Sequence, residues 1–310
     1  KNDQIHVVDR AVYTRTMEYQ LGVRDGAAMV GAFPGGSINA TNGNVYARLG
    51  LYATAGVGPT QSLGLVYNSM EPYGGGSAGP FWKLNYEVYL VDSWQAVNDP
   101  NVTATDIPNE SITLYLADGK AIHFKFVTFD AANDYLVAED EYGYFDKLER
   151  LNFQEGAFAG GYKLTNKHGD ILTFNGAGKL SEIKDATENY ITLTYDAGGK
   201  LTGIADQRFG TAAGRSATIS YESQTNQLYA PRVSSILDPG NRPYVISYSG
   251  NFLWGVTFNN SGVLSTYSFD TYTANDFSSN ARTNLIQFWR LPRGTATSTG
   301  NLGTGGDFYV

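Results

Sequence analysis

The chain has 310 residues, with Gly 36, Tyr 22, Phe 16 and 17% charged residues, the composition of a turn-dense, aromatic-rich β-protein of one or two domains. An apolar content of 42% argues against disorder, and a net charge of -8 with a pI near 4.9 argues against a phosphate-binding surface and so against nucleic acid. Cysteine is absent, which excludes disulfides, thiolate metal sites and a cysteine nucleophile.

Taken in chain order, Lys1-Asn2-Asp3 is the start expected of a processed product or a piece of something longer. Residues 44–52 and 63–69 read as strands, and Phe81 to Leu90 alternates as a third. The polar stretch 94–110, with Pro100 and Pro108, reads as a long loop. Leu114-Tyr115-Leu116-Ala117-Asp118-Gly119-Lys120, followed by Ile122-His123-Phe124, reads as a degenerate hairpin. Residues 145–151 read as a strand or a short turn, and no stretch of about 11 residues carries a helical period. No segment is apolar for long enough to span a membrane as a helix. After Asp270 the alternation fades, and the Gly/Thr/Ser-rich tail 295–306 reads as flexible. Glycosylation triplets begin at Asn39, Asn101, Asn109 and Asn259, a pattern that arises often by chance in so Asn/Ser/Thr-rich a chain.

Between these lies a repeat. Residues 172–185 and 193–206 match nearly position for position at a spacing of 21, each reading strand, glycine turn, strand, Asp. Looser copies run from Ala217 to Gly240 and from Tyr244 to Leu253. Ile191, Leu193 and Tyr195 alternate with Thr192 and Thr194, which gives one apolar and one polar face. Glycines 176, 178, 198, 199 and 250 are expected to supply the positive φ of tight turns. One such hairpin is too small to stand alone, so stability must come from pairing with its neighbours.

At these residues the sequence resembles the Rhs/YD-repeat family. Tyr195-Asp196, Gly199-Lys200-Leu201 and Asp206 follow that repeat, as do Phe174-Asn175, Gly178-Lys179-Leu180 and Asp185 with conservative changes. The copies at Tyr221, ending at Asp238, and at Tyr248 depart further, since neither tyrosine is followed by Asp. Thr41-Asn42-Gly43-Asn44, Tyr67-Asn68-Ser69, Gly79-Pro80-Phe81-Trp82 and Asn85-Tyr86 resemble the segment that precedes such repeats, so the likeness covers roughly residues 36–260. It implies an antiparallel curved sheet of stacked hairpins, part of a spiral shell around a C-terminal toxin cargo in longer relatives and adhesive in others. The Asp-Pro-rich self-cleavage signature of the shells is absent; Asp238-Pro239-Gly240 is only a repeat terminus.

Other patterns have plainer explanations. Gly75-Gly76-Ser77-Ala78-Gly79 fits a nucleophile elbow, and Gly74, Gly76 and Gly79 fit a dinucleotide loop, but both need a following helix, and this run lies between strands. His6, His123 and His168 have no metal-ligand spacing, and Glu139-Asp140-Glu141 reads as a turn or solvated edge. Asp185, Asp206 and Asp238 are expected to cap the next turn's amides rather than to act as acid and base. Trp82, Trp94, Trp254 and Trp289 are candidates for stacking against sugars, or else for filling the sheet's concave face.

The expectation is therefore an all-β protein with a β-rich lead-in (1–110), hairpin repeats (111–270) and a C-terminal extension (271–310). It is expected to be secreted or at the cell surface, non-enzymatic and without a cofactor. Its partners would be further repeats or like subunits met through two open sheet edges, a toxin cargo, or a cell-surface glycan.

Overall fold

The computed structural model describes residues 29–33, 36–39, 44–54, 59–69, 76–92, 111–117, 119, 121–130, 135–140, 146–150, 161–166, 168–206, 215–223, 231–260, 262–271, 286–294 and 307–309. The side chains of 29–39, 126–140 and 270–309 are outside that description, as are the loop at 94–110 and the tail at 295–306.

Every described regular element is a strand, and every pairing is antiparallel. A first sheet contains β1 (Met29–Phe33), β2 (Gly36–Asn39), β3 (Val45–Ala53), β4 (Ser62–Asn68) and β5 (Trp82–Leu84), in chain order. The second begins with β6 (Tyr89–Asp92), β7 (Ser111–Tyr115), β8 (Ala121–Asp130), β9 (Tyr135–Asp140) and β10 (Lys147–Arg150). It runs on through the repeats as β11 (Tyr162–Thr165), β12 (Ile171–Phe174), β13 (Leu180–Lys184), β14 (Tyr190–Tyr195), β15 (Leu201–Asp206), β16 (Ser216–Tyr221), β17 (Val233–Leu237) and β18 (Pro243–Ser249). It ends with β19 (Phe252–Asn260), β20 (Val263–Thr271), β21 (Ile286–Gly294) and β22 (Asp307–Tyr309). The break between the sheets lies at 84–89, and the position 110 suggested by composition falls between β6 and β7.

The two open edges expected of the repeat sheet are not found: β22 lies beside β6, and the sheet closes on itself. Accumulated strand twist and the bulges described below curve a long sheet until its ends meet. Among the described residues, the first sheet ends at β1 and β5.

Alternation decides which way each strand faces. In β16, Ala217 and Ile219 are buried while Ser216, Thr218 and Ser220 are exposed; in β18, Tyr244 and Ile246 are buried while Pro243 and Val245 are exposed. The buried faces of both sheets share one core, in which Leu49, Leu63 and Leu65 of the first meet Ile191, Ile204, Ile219 and Ile236 of the second. Val66 and its neighbours Leu65 and Tyr67 are all buried, so β4 is covered on both faces. Polar joints accompany this packing: Gln61 Nε2 donates to the Ile204 carbonyl at 2.8 Å. The large sheet thus turns its apolar face inward, onto the protein's own lead-in strands.

Ile236→Ala, which empties a fully buried position, is expected to cost about 2–5 kcal/mol, whereas exposed Thr218→Ala should stay within about 0.5 kcal/mol. Denaturant midpoints for the two variants check this.

Candidate functional site

The hairpins turn along two rims of the sheet. At Asn166, Asn175, Asp185, Asp196 and Asp238 the same five-residue turn recurs: the residue's amide donates to the carbonyl four positions on, and its carbonyl accepts from the amide three positions on. In each, the Asx Oδ1 accepts the amide four residues on, as from Lys179 to Asn175 at 3.0 Å and from Lys200 to Asp196 at 2.8 Å. A fixed acceptor so placed holds a turn that the backbone alone would leave loose.

The fourth residue of each turn is left-handed. Gly178 (φ 75°) and Gly199 (φ 76°) take that place, while Gly176 and Gly198, expected to do the same, are not among the positive-φ glycines, since only one residue per turn needs that conformation. Gly178 is constrained twice, because a Cβ there would sit 2.3 Å from the Leu90 carbonyl oxygen. At the opposite rim, Glu188 (φ 69°) and Asn241 (φ 59°) occupy the same position.

The expected caps at Asp185 and Asp238 are present. Desolvation alone would raise the Asp185 carboxyl, but bonds from Thr187 and Asn189 outweigh it and hold the group below its ordinary value. Asp206 is 1% exposed, its amide bonds the Arg215 carbonyl, and its carboxylate lies 3.7 Å from the Arg215 guanidinium. The loop it closes, 207–214, lies outside the described residues.

Just before the turns of the other rim, an aromatic residue pairs with an aliphatic one across a one-residue bulge. The pairs are Phe174 with Leu180, Tyr195 with Leu201, Tyr221 with Val233 and Tyr248 with Leu253. Each tyrosine also reaches back to the preceding hairpin. Tyr195 Oη donates to the Leu180 carbonyl (2.6 Å), Tyr221 to Leu201 (2.9 Å) and Tyr248 to Val233 (2.7 Å). The residue before each of those acceptors is a cation lying over the same ring: Lys179 over Tyr195, Lys200 over Tyr221 and Arg232 over Tyr248, at 5.7, 5.3 and 3.8 Å from the centroids. Glu222, which stands where the repeat would have Asp, pairs with Arg232 through both carboxylate oxygens.

A strap formed by residues 77–90 lies along this rim. The Val88 carbonyl accepts from the Leu180 amide (3.2 Å), the Leu90 amide donates to Gly178 (2.7 Å), and the Ser77 carbonyl accepts from Val233 (2.8 Å). The described part of the glycine-rich run, Gly76 to Gly79, is non-regular and leads into β5 rather than a helix, and the Ser77 hydroxyl donates to Glu87. Glu87 is half-buried and also accepts the Leu84 amide at 2.8 Å. Burial pushes its carboxyl up, and its charge adds to burial in raising the hydroxyls of Tyr195 and Tyr221. Between strap and rim lies a cavity of about 370 Å³ lined by Ser77, Glu87, Lys179, Tyr195, Lys200 and Tyr221 among others.

The cation before each aliphatic position was legible as a repeated Lys-Leu pair, although its stacking role was not. Glu87 carries no sequence signal, because its burial depends on the strap folding back. His123 accompanies Thr113 in cross-strand pairing at 3.0 Å, and His168 sits in the turn at Asn166; His6 lies outside the described residues.

The tryptophans divide. Trp82 is 3% exposed, with its ring against Tyr67 and Phe269, which removes it from the glycan-stacking candidates: the apolar interior between the sheets takes the indole. Trp254 is 53% exposed, at the bulge of β19. Trp289 stands opposite Phe269 in the register, with its side chain outside the described residues, where Trp94 also lies.

No family model matches the chain, and no curated protein does. Solved structures do resemble it. The chain is similar to chains of Tc toxin complexes. Against a chain in the crystal structure of TcdB2-TccC3-Cdc42 the TM-score is 0.49 at 11% identity, over 86% of this chain and 19% of that one. Against the Photorhabdus luminescens Tc holotoxin pore it is 0.43 at 12%, over 86% of this chain and 16% of that one. Against the N-terminal domain of the effector protein SpvB from Salmonella typhimurium strain LT2 it is 0.40 at 12%, over 81% and 98%. The chain therefore spans less than a fifth of the length of these Tc chains.

Tyr221→Phe and Tyr248→Phe, which each delete one hydroxyl donor, are expected to lower stability by about 1 kcal/mol in equilibrium unfolding. For Asp185, whose pKa is depressed by folding, the sign is fixed: its contribution is complete above about pH 4 and lost as the pH falls through the lowered value. The stability gap between the unsubstituted protein and Asp185→Ala should accordingly narrow on acidification.

Proposed function

We propose that this chain is a non-enzymatic structural component of an exported Rhs/YD-repeat protein, forming β-sheet wall that encloses other polypeptide. The observation that carries this reading is the inward apolar face of the large sheet, which shares one core with Leu63 and Leu65 of the protein's own strand β4, itself buried along its length. Stacked hairpins clasped by tyrosines extend such a wall by repetition. Its outward positions mix polar residues, as at Ser216, Thr218 and Ser220, with scattered apolar ones, as at Val91, Val245 and Leu264. No described helix is long and apolar enough to cross a membrane. In a longer chain the same wall would hold a cargo, and like subunits would meet at the end strands of the first sheet.

Limited proteolysis tests enclosure. Fragments containing β4 and fragments containing β14–β16 should stay together as one resistant particle and separate only in denaturant. Release of the β4 fragment under native conditions would overturn the reading.

Adhesion through carbohydrate is a second reading, favoured by the exposure of Trp254. It expects a saturable change in tryptophan fluorescence across a glycan panel that Trp254→Ala abolishes.

A further inference from the structure

Leu180, Leu201 and Val233 are equivalent. Each opens a strand, follows a cation, and pairs with an aromatic residue across the same bulge. At the two outer positions the amide is turned toward the strap and given a carbonyl acceptor, Val88 for Leu180 and Ser77 for Val233. At the middle position no described strap carbonyl accepts the amide, and Leu201 lines the cavity of about 370 Å³.

The walls of that niche are unevenly charged. Lys179 and Lys200 line it, with the Lys179 ammonium tied to the Gly199 carbonyl and the Lys200 ammonium over the Tyr221 ring. Glu87 is the one acidic residue among the lining residues, and it is already engaged by the Ser77 hydroxyl and the Leu84 amide. Asp196, in the adjoining turn, accepts the Lys200 amide.

We propose that this niche binds a carboxylate-bearing ligand, whose oxygens take the place at Leu201 that strap carbonyls take at Leu180 and Val233, with the Lys200 ammonium as the charged partner. A charge-assisted donor beside a backbone amide favours a carboxylate over a neutral carbonyl. The tyrosine rings supply apolar walls for the ligand's body.

The groups facing Glu87 are Lys83, Ser77 and the rings of Tyr195, Tyr221 and Tyr248. Burial raises the Glu87 carboxyl, and its neutral form removes the only negative charge lining the niche. Binding should therefore strengthen as the pH falls through the Glu87 transition, and Glu87→Gln should flatten that dependence.

N-acetylglycine serves as the probe and its uncharged amide, N-acetylglycinamide, as the control. Titration of the intact chain followed by amide NMR should move the Leu201 resonance saturably with the acid and not with the amide. Lys200→Gln should weaken binding by about tenfold or more, the loss of one charge-assisted hydrogen bond. A Leu201 resonance that stays still, equal binding of acid and amide, or an affinity unchanged by Lys200→Gln would overturn the assignment. The Leu201 readout uses the unsubstituted protein, so it holds whatever a substitution does to folding.

Discussion

The structure depends on how one hairpin is fastened to the next. A bulge displaces one residue per repeat, and the backbone it disturbs must find partners elsewhere. The tyrosine hydroxyl answers part of that need by bonding the carbonyl that opens the preceding strand, at Leu180, Leu201 and Val233. The cation next to that carbonyl covers the ring. One aromatic side chain therefore joins packing, a hydrogen bond and a charge contact at a single point, and it does so at three successive seams. Phe174 stands in the same register with no hydroxyl to donate and is fully buried, so its contribution is packing alone.

The strap completes what the tyrosines begin. Its carbonyls at Ser77 and Val88 accept amides from strands belonging to different hairpins, β17 and β13. The lead-in segment is thus a lateral tie across the repeats as well as a filling beneath them. Gly178 shows how tight the tie is, because the Leu90 carbonyl comes close enough to exclude a side chain.

Much of this was legible in the sequence. Alternation at 191–195, 217–221 and 244–248 marked the buried face correctly, because a strand's period of two is local and needs no knowledge of partners. The Asx turns at Asp185 and Asp238 were legible for the same reason, since they bond within five residues. What remained hidden is long-range. Nothing in the residues 89–92 or 307–309 announces that they share an edge, and nothing around Trp82 distinguishes an indole packed between sheets from one on a surface. Glu87 was hidden likewise, since the Lys179, Tyr195 and Tyr221 that share its cavity lie more than 90 residues away in sequence.

The seam between β6 and β22 joins residues 89–92 to residues 307–309. Contacts between segments so far apart form late and slowly, because the intervening chain must be ordered before they are rewarded. During synthesis the lead-in strands would emerge well before the last strand that completes the ring around them. The nascent protein would spend that interval with apolar surface uncovered, the condition under which chaperones become decisive.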